Sequence, residues 1–368
     1  MKRGPASGNV IFVSRQGDEP SEDYRALAET LRADGIRTEM YLQRQEKDGS
    51  RFMANAIANM RMILRQMRAL SRARVAVTDG YSIPISILKH RKELTVIQMW
   101  HAIGAVKKFG LQTLQAMSDR DKRRAKLLCM HAGYDFFIAP SESAARFFAE
   151  AFGMSEDKAL ITGTPYVDAL YVGTFNQEGD IAAAYPEFDE NEKAGRPLKV
   201  VLYVPTYRKD TPGHDMDKTY ERGEGPGALR KALGSDGYMV IEKKHPVDEV
   251  DGSGIYAEEL LYAADIVVTD YSSLAFAAAL VGKPLYYYIY DIEDYRRSPG
   301  LNIDPELEYG RYAARSARAI ARLIREKDYD MEYERAFARK YVETYDGGCT
   351  ERLKSVILRA LGDETVRP

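Results

Sequence analysis

The chain has 368 residues, is 45% hydrophobic and 29% charged, and carries a formal net charge of -2. This length predicts two domains, the composition is typical of a soluble globular protein, and the small net charge gives no indication of nucleic-acid binding. Only two cysteines occur, Cys129 and Cys349, without metal-binding spacing, which argues against a zinc site or a disulfide framework and favours a reducing compartment.

The first half of the chain alternates short apolar runs with helical patterns, which is the signature of an α/β fold. Strands are predicted at residues 9–13, 74–78, 94–99, 134–139 and 159–162. The clearest helical patterns cover residues 22–34 and 141–152. These elements predict an N-terminal domain over residues 1–175.

The second half of the chain begins after a region of different composition. Residues 176–198 contain Gly, Pro, Asn and several acids without a strong period, so they predict a linker. A second α/β set starts at Lys199 with KVVLYV, continues through three further apolar runs and ends in helices after Ala313. We therefore expect a C-terminal domain over residues 199–368.

Two stretches of the chain resemble each other. Residues 75–100 and 266–290 both contain a strand, Thr-Asp, Tyr-Ser, a short helix, a lysine and a second strand. Two similar Rossmann-like domains facing a central cleft would explain this repeat. In open α/β sheets, ligands bind beyond the carboxyl ends of the strands, so we expect a ligand site where these motifs lie.

The first candidate site is the TDYSS segment that follows an apolar run. Thr269, Asp270, Ser272 and Ser273 lie where a strand should give way to a helix, and a helix N-terminus attracts anions. The alternative is a simple helix cap, because Ser and Asp are preferred capping residues. The glycine-rich pattern of a P-loop is absent, so hydroxyls and the helix end would hold any phosphate.

Two further candidates follow strands of the second half. His245, in KKHP, precedes a proline that keeps it extended, and with its neighbouring lysines it is suited to contact phosphate. Arg208, in YVPTYR, offers a planar fork that matches phosphate oxygens. An ordinary surface turn and a solvated charge are the alternatives.

The fourth candidate is QMWHAIGAVKKFG, directly after a strand of the first half. His101 is a candidate general base, because the ordinary pKa of histidine lies near neutrality. Trp100, the only tryptophan, precedes it, and Lys107 and Lys108 are candidate phosphate ligands. The alternative is a Trp-His pair that only packs.

These motifs, in this order, resemble the CDP-glycerol glycerophosphotransferases of teichoic acid synthesis. The resemblance extends from about Val75 to Leu353 and includes the motifs QMWHAIGAVKKFG, ITGTPYVDAL, VLYVPTYR, EKKHP, VVTDYSSLAFAAALVGKPLYYYIYDIEDY and DGGCTERL. It implies a GT-B-like fold and transfer of glycerol phosphate from CDP-glycerol, with release of CMP and without an obligatory metal or cofactor.

The resemblance also implies roles for the candidate residues. The donor would lie on the second domain, where Asp270 orients a loop and the other residues hold the diphosphate or glycerol: Arg208, His245, Thr269, Ser272 and Ser273. His101 would accept a proton from the acceptor hydroxyl. Trp100, Lys107 and Lys108 would then lie on the acceptor side.

The motif Trp-His-Ala-Ile-Gly-Ala departs from the Trp-His-Gly-Thr-Pro of many polymerising members and is more similar to that of the primases. The acceptor would then be N-acetylmannosaminyl-N-acetylglucosamine on undecaprenyl diphosphate. The alternatives are an elongating glycerol- or ribitol-phosphate transferase, a nucleotide-sugar glycosyltransferase and a non-catalytic membrane-bound scaffold.

A lipid-linked acceptor requires access to a membrane. No run approaches the ~20 apolar residues of a transmembrane helix and no signal peptide is evident, so we expect a cytoplasmic protein that attaches peripherally to the inner face of the cell membrane. Residues 52–74 form a basic amphipathic pattern that suits a bilayer interface, with packing on the sheet as the alternative. The basic run at residues 120–126 follows the Trp-His motif and is a candidate border of the acceptor entrance.

Overall fold

The computed structural model of the protein describes residues 9–44, 52–176, 185–186, 198–206, 223–225, 227–234, 237–243 and 255–362. The chain forms two compact units. The first consists of Met1–Ile103, Phe109–Ala169 and Thr344–Pro368, and the second of Gly104–Lys108 and Leu170–Glu343.

The first unit is built on a parallel sheet with strand order β2-β1-β3-β4-β5-β6. Its strands are β1 (Val10–Ser14), β2 (Thr38–Leu42), β3 (Val75–Thr78), β4 (Thr95–Gln98), β5 (Phe136–Ile138) and β6 (Ala159–Leu160). The residues of β1 and β3 are buried throughout, as expected for central parallel strands covered on both faces. Because β2 and β3 flank β1 on opposite sides, the strand order reverses between β1 and β3, and their carboxyl ends form the topological switch point of this sheet.

The second unit has a parallel sheet of its own, with strand order β11-β10-β9-β7-β8. Its strands are β7 (Lys199–Val204), β8 (Tyr238–Glu242), β9 (Ile266–Thr269), β10 (Leu285–Tyr288) and β11 (Ala313–Ala314). Here β8 and β9 flank β7 on opposite sides, so the switch point lies at the carboxyl ends of β7 and β9.

The helices that follow or connect these strands are named in chain order. They are α1 (Glu22–Ala33), α2 (Phe52–Leu70), α3 (Ile83–Ile87), α4 (Asp119–Leu127), α5 (Glu142–Phe152), α6 (Pro165–Val172), α7 (Ala228–Leu233), α8 (Ala257–Ala263), α9 (Leu274–Leu280), α10 (Ile292–Arg297), α11 (Pro305–Glu308), α12 (Ala317–Glu326), α13 (Met331–Tyr341) and α14 (Cys349–Leu361). No helix within the described ranges has the length and apolar character that crossing a membrane requires.

The C-terminal helix differs from the predicted domain boundary. Leu353, Ile357 and Leu361 of α14 are buried at helical spacing, and they pack in one cluster with residues of β1 and α1. Asp168 of α6 accepts hydrogen bonds from the backbone nitrogens of Cys349 and Thr350, at 2.9 and 2.7 Å, and so caps α14. Helix α14 therefore packs in the first unit, and the expected assignment of all residues 199–368 to the second domain needs this correction.

A short segment after His101 also departs from the predicted boundary. Residues 104–108 belong to the second unit, where the Lys108 nitrogen donates to the Gly300 carbonyl at 2.9 Å and the Asn302 nitrogen donates to the Val106 carbonyl at 2.9 Å. A Cβ atom at Gly104 would overlap the ring of Phe276, so only glycine fits there.

The core of the second unit contains a buried acid among tyrosines. Glu334 of α13 is completely buried, and burial raises its pKa from 4.5 to about 9, an effect that the nearby Tyr329 hydroxyl only partly opposes. A neutral carboxylic acid is therefore the expected form of Glu334 in the native protein at neutral pH.

This burial makes the stability of the second unit depend on pH. The unfolded chain releases the Glu334 proton above pH 4.5 while the native chain keeps it, so this contribution to stability is complete below pH 4.5 and is lost as the pH rises towards 9. We expect Glu334→Gln to increase the free energy of unfolding at pH 8 by about 1–3 kcal/mol and to have little effect near pH 5. Urea unfolding of both proteins at the two pH values measures this, and an equal gain at both would contradict it.

Candidate active site

The switch point of the first unit carries a buried carboxyl group. Asp79 follows β3 and is only 3% exposed. Its Oδ2 accepts a hydrogen bond from the Ser14 hydroxyl at 2.7 Å, and its Oδ1 accepts none from the described residues. Burial raises the pKa of Asp79 to about 7, with the Ser14 hydrogen bond acting in the opposite direction. At neutral pH this group is therefore divided between its charged and neutral forms.

His101, three residues after β4, lies against the main chain of Asp79. Its Nδ1 is 2.9 Å from the main-chain oxygen of Asp79, and the side-chain amide of Gln16 lies 3.2 Å from the same nitrogen. The carbonyl oxygen can only accept and the Gln16 amide nitrogen can only donate, so the two contacts require opposite states of Nδ1. We assign the proton to Nδ1 on the shorter contact, the one to the Asp79 carbonyl. In the neutral ring Nε2 is then an acceptor, which is the state that a general base requires.

Trp100 supports the ring of His101. The tryptophan backbone has a φ of 64°, an uncommon value outside glycine, and its nitrogen donates to the Gln98 side chain at 2.9 Å. The indole ring lies 4.2 Å from the His101 ring and stacks on Phe109 at 4.6 Å. Trp100 therefore packs against His101, as the alternative interpretation of this pair expects. Binding of the acceptor by Trp100 stays a prediction.

Lys107 and Lys108 lie in the segment 104–108 of the second unit. Lys107 is half-buried and forms an isolated antiparallel bridge with Leu301, whereas Lys108 is exposed. Main-chain hydrogen bonds hold this segment in place. The predicted contact of the two lysine side chains with the acceptor stays a prediction.

Asp270 organises the switch point of the second unit. Its carboxylate is completely buried and accepts from the Thr206 backbone nitrogen at 2.9 Å, the Thr206 hydroxyl at 2.6 Å and the Tyr271 nitrogen at 2.6 Å. These bonds join the loop after β7 to the loop after β9. The role of Asp270 in orienting a loop that holds the donor stays a prediction.

The hydroxyls around Asp270 divide into two groups. Thr269 is fully buried, and its hydroxyl donates to the Val204 carbonyl at 2.7 Å. This hydroxyl therefore stabilises the sheet, which corrects the prediction that it contacts the donor. The Ser272 hydroxyl accepts from the Leu274 nitrogen at 3.3 Å, whereas the Ser273 side chain makes no capping bond to α9. Ser272 therefore has the capping role that was the alternative reading of this segment.

The two units share one local design. In each, an aspartate follows the strand beyond the switch point, and a hydroxyl from the end of the first strand binds its carboxyl group: Ser14 with Asp79, and Thr206 with Asp270. The repeated Thr-Asp motif identified both aspartates. Ser14 and Thr206 were missed, because a single hydroxyl after an apolar run is too common to indicate a partner.

Two predicted site residues, Arg208 and His245, lie outside the described residues. The nearest described neighbours are Thr206 and Lys243, whose nitrogen donates to the Tyr203 carbonyl at 2.9 Å. The donor-binding roles of Arg208 and His245 remain predictions.

One group of potential metal ligands occurs among the described residues, formed by Asp168, Asp346 and Cys349. Asp168 caps α14, and Asp346 pairs with Arg352 at 2.8 Å. Cys349 donates to the Thr344 carbonyl at 3.1 Å. These contacts explain the cluster as a helix cap that needs no ion.

Comparison with known proteins gives concordant matches. The family model described as CDP-Glycerol:Poly(glycerophosphate) glycerophosphotransferase matches residues 3–359. A teichoic acid ribitol-phosphate primase of Bacillus spizizenii is 28% identical over 95% of this chain and 90% of its own length. A teichoic acid glycerol-phosphate primase of Staphylococcus aureus is 31% identical over 66% of this chain and 62% of its own length.

The fold is also shared with a solved structure. The wall teichoic acid polymerase TagF superimposes with a TM-score of 0.64 and 18% identity, covering 98% of this chain and 90% of that one. The predicted GT-B-like α/β fold with two Rossmann-like sheets is thus confirmed.

Proposed function

Since the chain belongs to the CDP-glycerol:poly(glycerophosphate) glycerophosphotransferase family and is a transferase of teichoic acid synthesis, we propose that it moves glycerol phosphate from CDP-glycerol to a lipid-linked disaccharide and releases CMP. The acceptor in this proposal is N-acetylmannosaminyl-N-acetylglucosaminyl-diphospho-undecaprenol. The observation that carries the proposal is the hydrogen bond of His101 Nδ1 to the Asp79 carbonyl, which prepares Nε2 as a base.

In the proposed reaction, Nε2 of His101 takes the proton of the acceptor hydroxyl. The acceptor oxygen then bonds to the phosphorus of the glycerol phosphate, and the bond from that phosphorus to the bridging oxygen breaks. CMP leaves with the bond electrons, and the proton stays on the imidazolium until solvent removes it. Phosphoryl transfer relies on positioning and charge stabilisation, and we assign the latter to Arg208, His245, Ser272 and Ser273 on the donor side.

Addition of a single unit is the favoured outcome. Both curated relatives described above are primases, and the Trp-His-Ala-Ile-Gly-Ala motif departs from that of the polymerising members. Because one relative is a ribitol-phosphate primase, CDP-ribitol is the alternative donor, and elongation is the alternative mode.

One experiment tests donor and mode together. The purified chain is incubated with the lipid-linked disaccharide and either CDP-glycerol or CDP-ribitol, and the products are analysed by mass. We expect one glycerol phosphate per acceptor with equimolar CMP. A ladder of product masses would indicate a polymerase instead of a primase, and a preference for CDP-ribitol would indicate ribitol phosphate as the transferred group. Release of UDP from a UDP-sugar, with no reaction of either CDP-alcohol, would indicate a glycosyltransferase.

We also propose peripheral attachment to the cytoplasmic face of the membrane through α2. Gln66 and Leu70 are buried, but Ile57, Met60 and Leu64 are 50%, 56% and 47% exposed, next to exposed arginines. Apolar residues beside cations suit an anionic bilayer surface. We expect Met60→Glu to reduce flotation with vesicles that contain anionic lipid severalfold while the chain stays folded; unchanged flotation would contradict this attachment.

A further inference from the structure

Arg15 occupies the switch point of the first unit, directly after β1. It is half-buried, and its Nη1 donates to the Tyr81 carbonyl at 3.3 Å while its Cζ lies 5.9 Å from the centre of the Tyr81 ring. The Tyr81 hydroxyl donates to the carbonyl of Leu128, the residue after α4, at 2.7 Å. Tyr81 therefore joins the end of β1 to the basic C-terminal turn of α4.

The charges around Arg15 are unbalanced. Burial lowers its pKa, and repulsion from Arg124 in the last turn of α4 lowers it further, while Tyr81 opposes the change. Neither Arg15 nor Arg124 forms an ion pair with a carboxylate in the part of the chain that the structure describes. Asp79 supplies only part of the missing negative charge at neutral pH, because burial raises its pKa to about 7, and its Oδ2 is bonded to the Ser14 hydroxyl. Two guanidinium groups that repel each other without an acid are stabilised when an anion lies between them.

We propose that Arg15 and Arg124 form a binding site for a diphosphate ester, and that this ligand is the diphosphate of the lipid-linked acceptor. The planar guanidinium forks match phosphate oxygens, and Gln16, the next residue in the chain, contacts Nδ1 of His101. The anion and the hydroxyl that His101 deprotonates thus belong to one bound molecule. The identity of the ligand rests on the proposed function, whereas the anion site itself does not.

Binding of inorganic pyrophosphate tests the site without any turnover. Trp100 is the only tryptophan and its ring lies 4.2 Å from the His101 ring, so intrinsic fluorescence reports on this edge of the sheet. The full chain is titrated at constant ionic strength, with sodium sulfate as the comparison anion. We expect a saturable change with the wild type and a dissociation constant about tenfold weaker in Arg15→Gln and in Arg124→Gln.

Arg32→Gln is the matched control. Arg32 is an exposed arginine at the end of α1, close in the chain to the amino end of β2, whereas Arg15 follows the carboxyl end of β1. It should bind pyrophosphate as the wild type does. Arg15→Lys keeps the charge but not the fork, and should recover part of the affinity. Equally weakened pyrophosphate binding in Arg32→Gln would show that only the net charge of the protein matters, which would contradict a specific site. Unchanged binding in both Arg15→Gln and Arg124→Gln would overturn the proposal. If Arg15→Gln fails to fold, the exposed Arg124 still decides the outcome.

The source of the diphosphate is tested separately. In transfer assays Arg15→Gln should raise the KM for the lipid-linked acceptor about tenfold and leave kcat and the KM for CDP-glycerol nearly unchanged. A raised KM for CDP-glycerol instead would assign the site to the donor. Pyrophosphate binding that persists in a chain without transferase activity would leave the anion site standing and refute the proposed function.

Discussion

Replacing His101 with glutamine is expected to slow transfer by roughly 10²–10⁴-fold, the range that loss of a general base produces. Glutamine can still donate to the Asp79 carbonyl but has no nitrogen that accepts a proton at neutral pH. The measurement is CMP release under donor and acceptor saturation, so that a change in binding does not enter the rate. Because His101 is exposed, thermal unfolding should be unchanged.

His90→Gln provides the matched control for this substitution. His90 lies in the same unit and its Nε2 is hydrogen-bonded to the Ile85 carbonyl at 2.6 Å, so it has a structural role in a loop before β4. Its replacement should leave transfer within about twofold of the wild type, since His90 lies outside the candidate site and the glutamine amide can still donate to the Ile85 carbonyl. A wild-type rate in His101→Gln would refute the assignment of the base, and an equal loss in His90→Gln would attribute the effect to folding.

The central strands could be predicted because they are continuous apolar runs. Residues 9–13 were predicted and Val10–Ser14 was found, and helix α1 ends one residue before its predicted end. Strand β2 was not predicted, because this edge strand is only half-buried throughout and carries the charged Glu39 at its second position. The sheet on which α14 packs was not predicted either. Apolar residues at helical spacing show which face of a helix is buried but not which sheet covers it.

The candidate site shows the same division between local and long-range information. Asp79, Asp270 and His101 were recognisable, because each stands directly after an apolar run within a motif. Arg15 and Thr206 were not assigned roles, because their partners are 66 and 64 positions away in the chain, at Tyr81 and Asp270. Such contacts arise from strand order, which neither periodicity nor motif spacing supplies.

Replacement of Asp270 with asparagine should disrupt the candidate donor loop more than any other single change in the described second unit. The Thr206 and Tyr271 donors all bind Oδ1, and Oδ2 lies 3.1 Å from the Thr206 nitrogen. An asparagine that keeps its oxygen at Oδ1 therefore sets its amide nitrogen against the Thr206 N–H, and the bonds to Oδ1 are no longer strengthened by a negative charge. We expect a loss of about 2–4 kcal/mol in the local opening free energy, read as faster hydrogen exchange at the Thr206 and Tyr271 amides. The KM for CDP-glycerol should rise at least about tenfold, because the loops that we propose to hold the donor are no longer fixed.

Two serine variants separate donor contact from loop stability in this prediction. Ser272→Ala removes the cap on Leu274 and should cost about 0.5–2 kcal/mol of local stability together with donor affinity. Ser273→Ala removes a hydroxyl that makes no capping bond, so it should weaken donor use without accelerating amide exchange. If Asp270→Asn left both exchange and the donor KM unchanged, the loop would not depend on this carboxylate. If Ser273→Ala lowered stability but not donor affinity, the serine would belong to the fold and the donor phosphates would have to be held elsewhere.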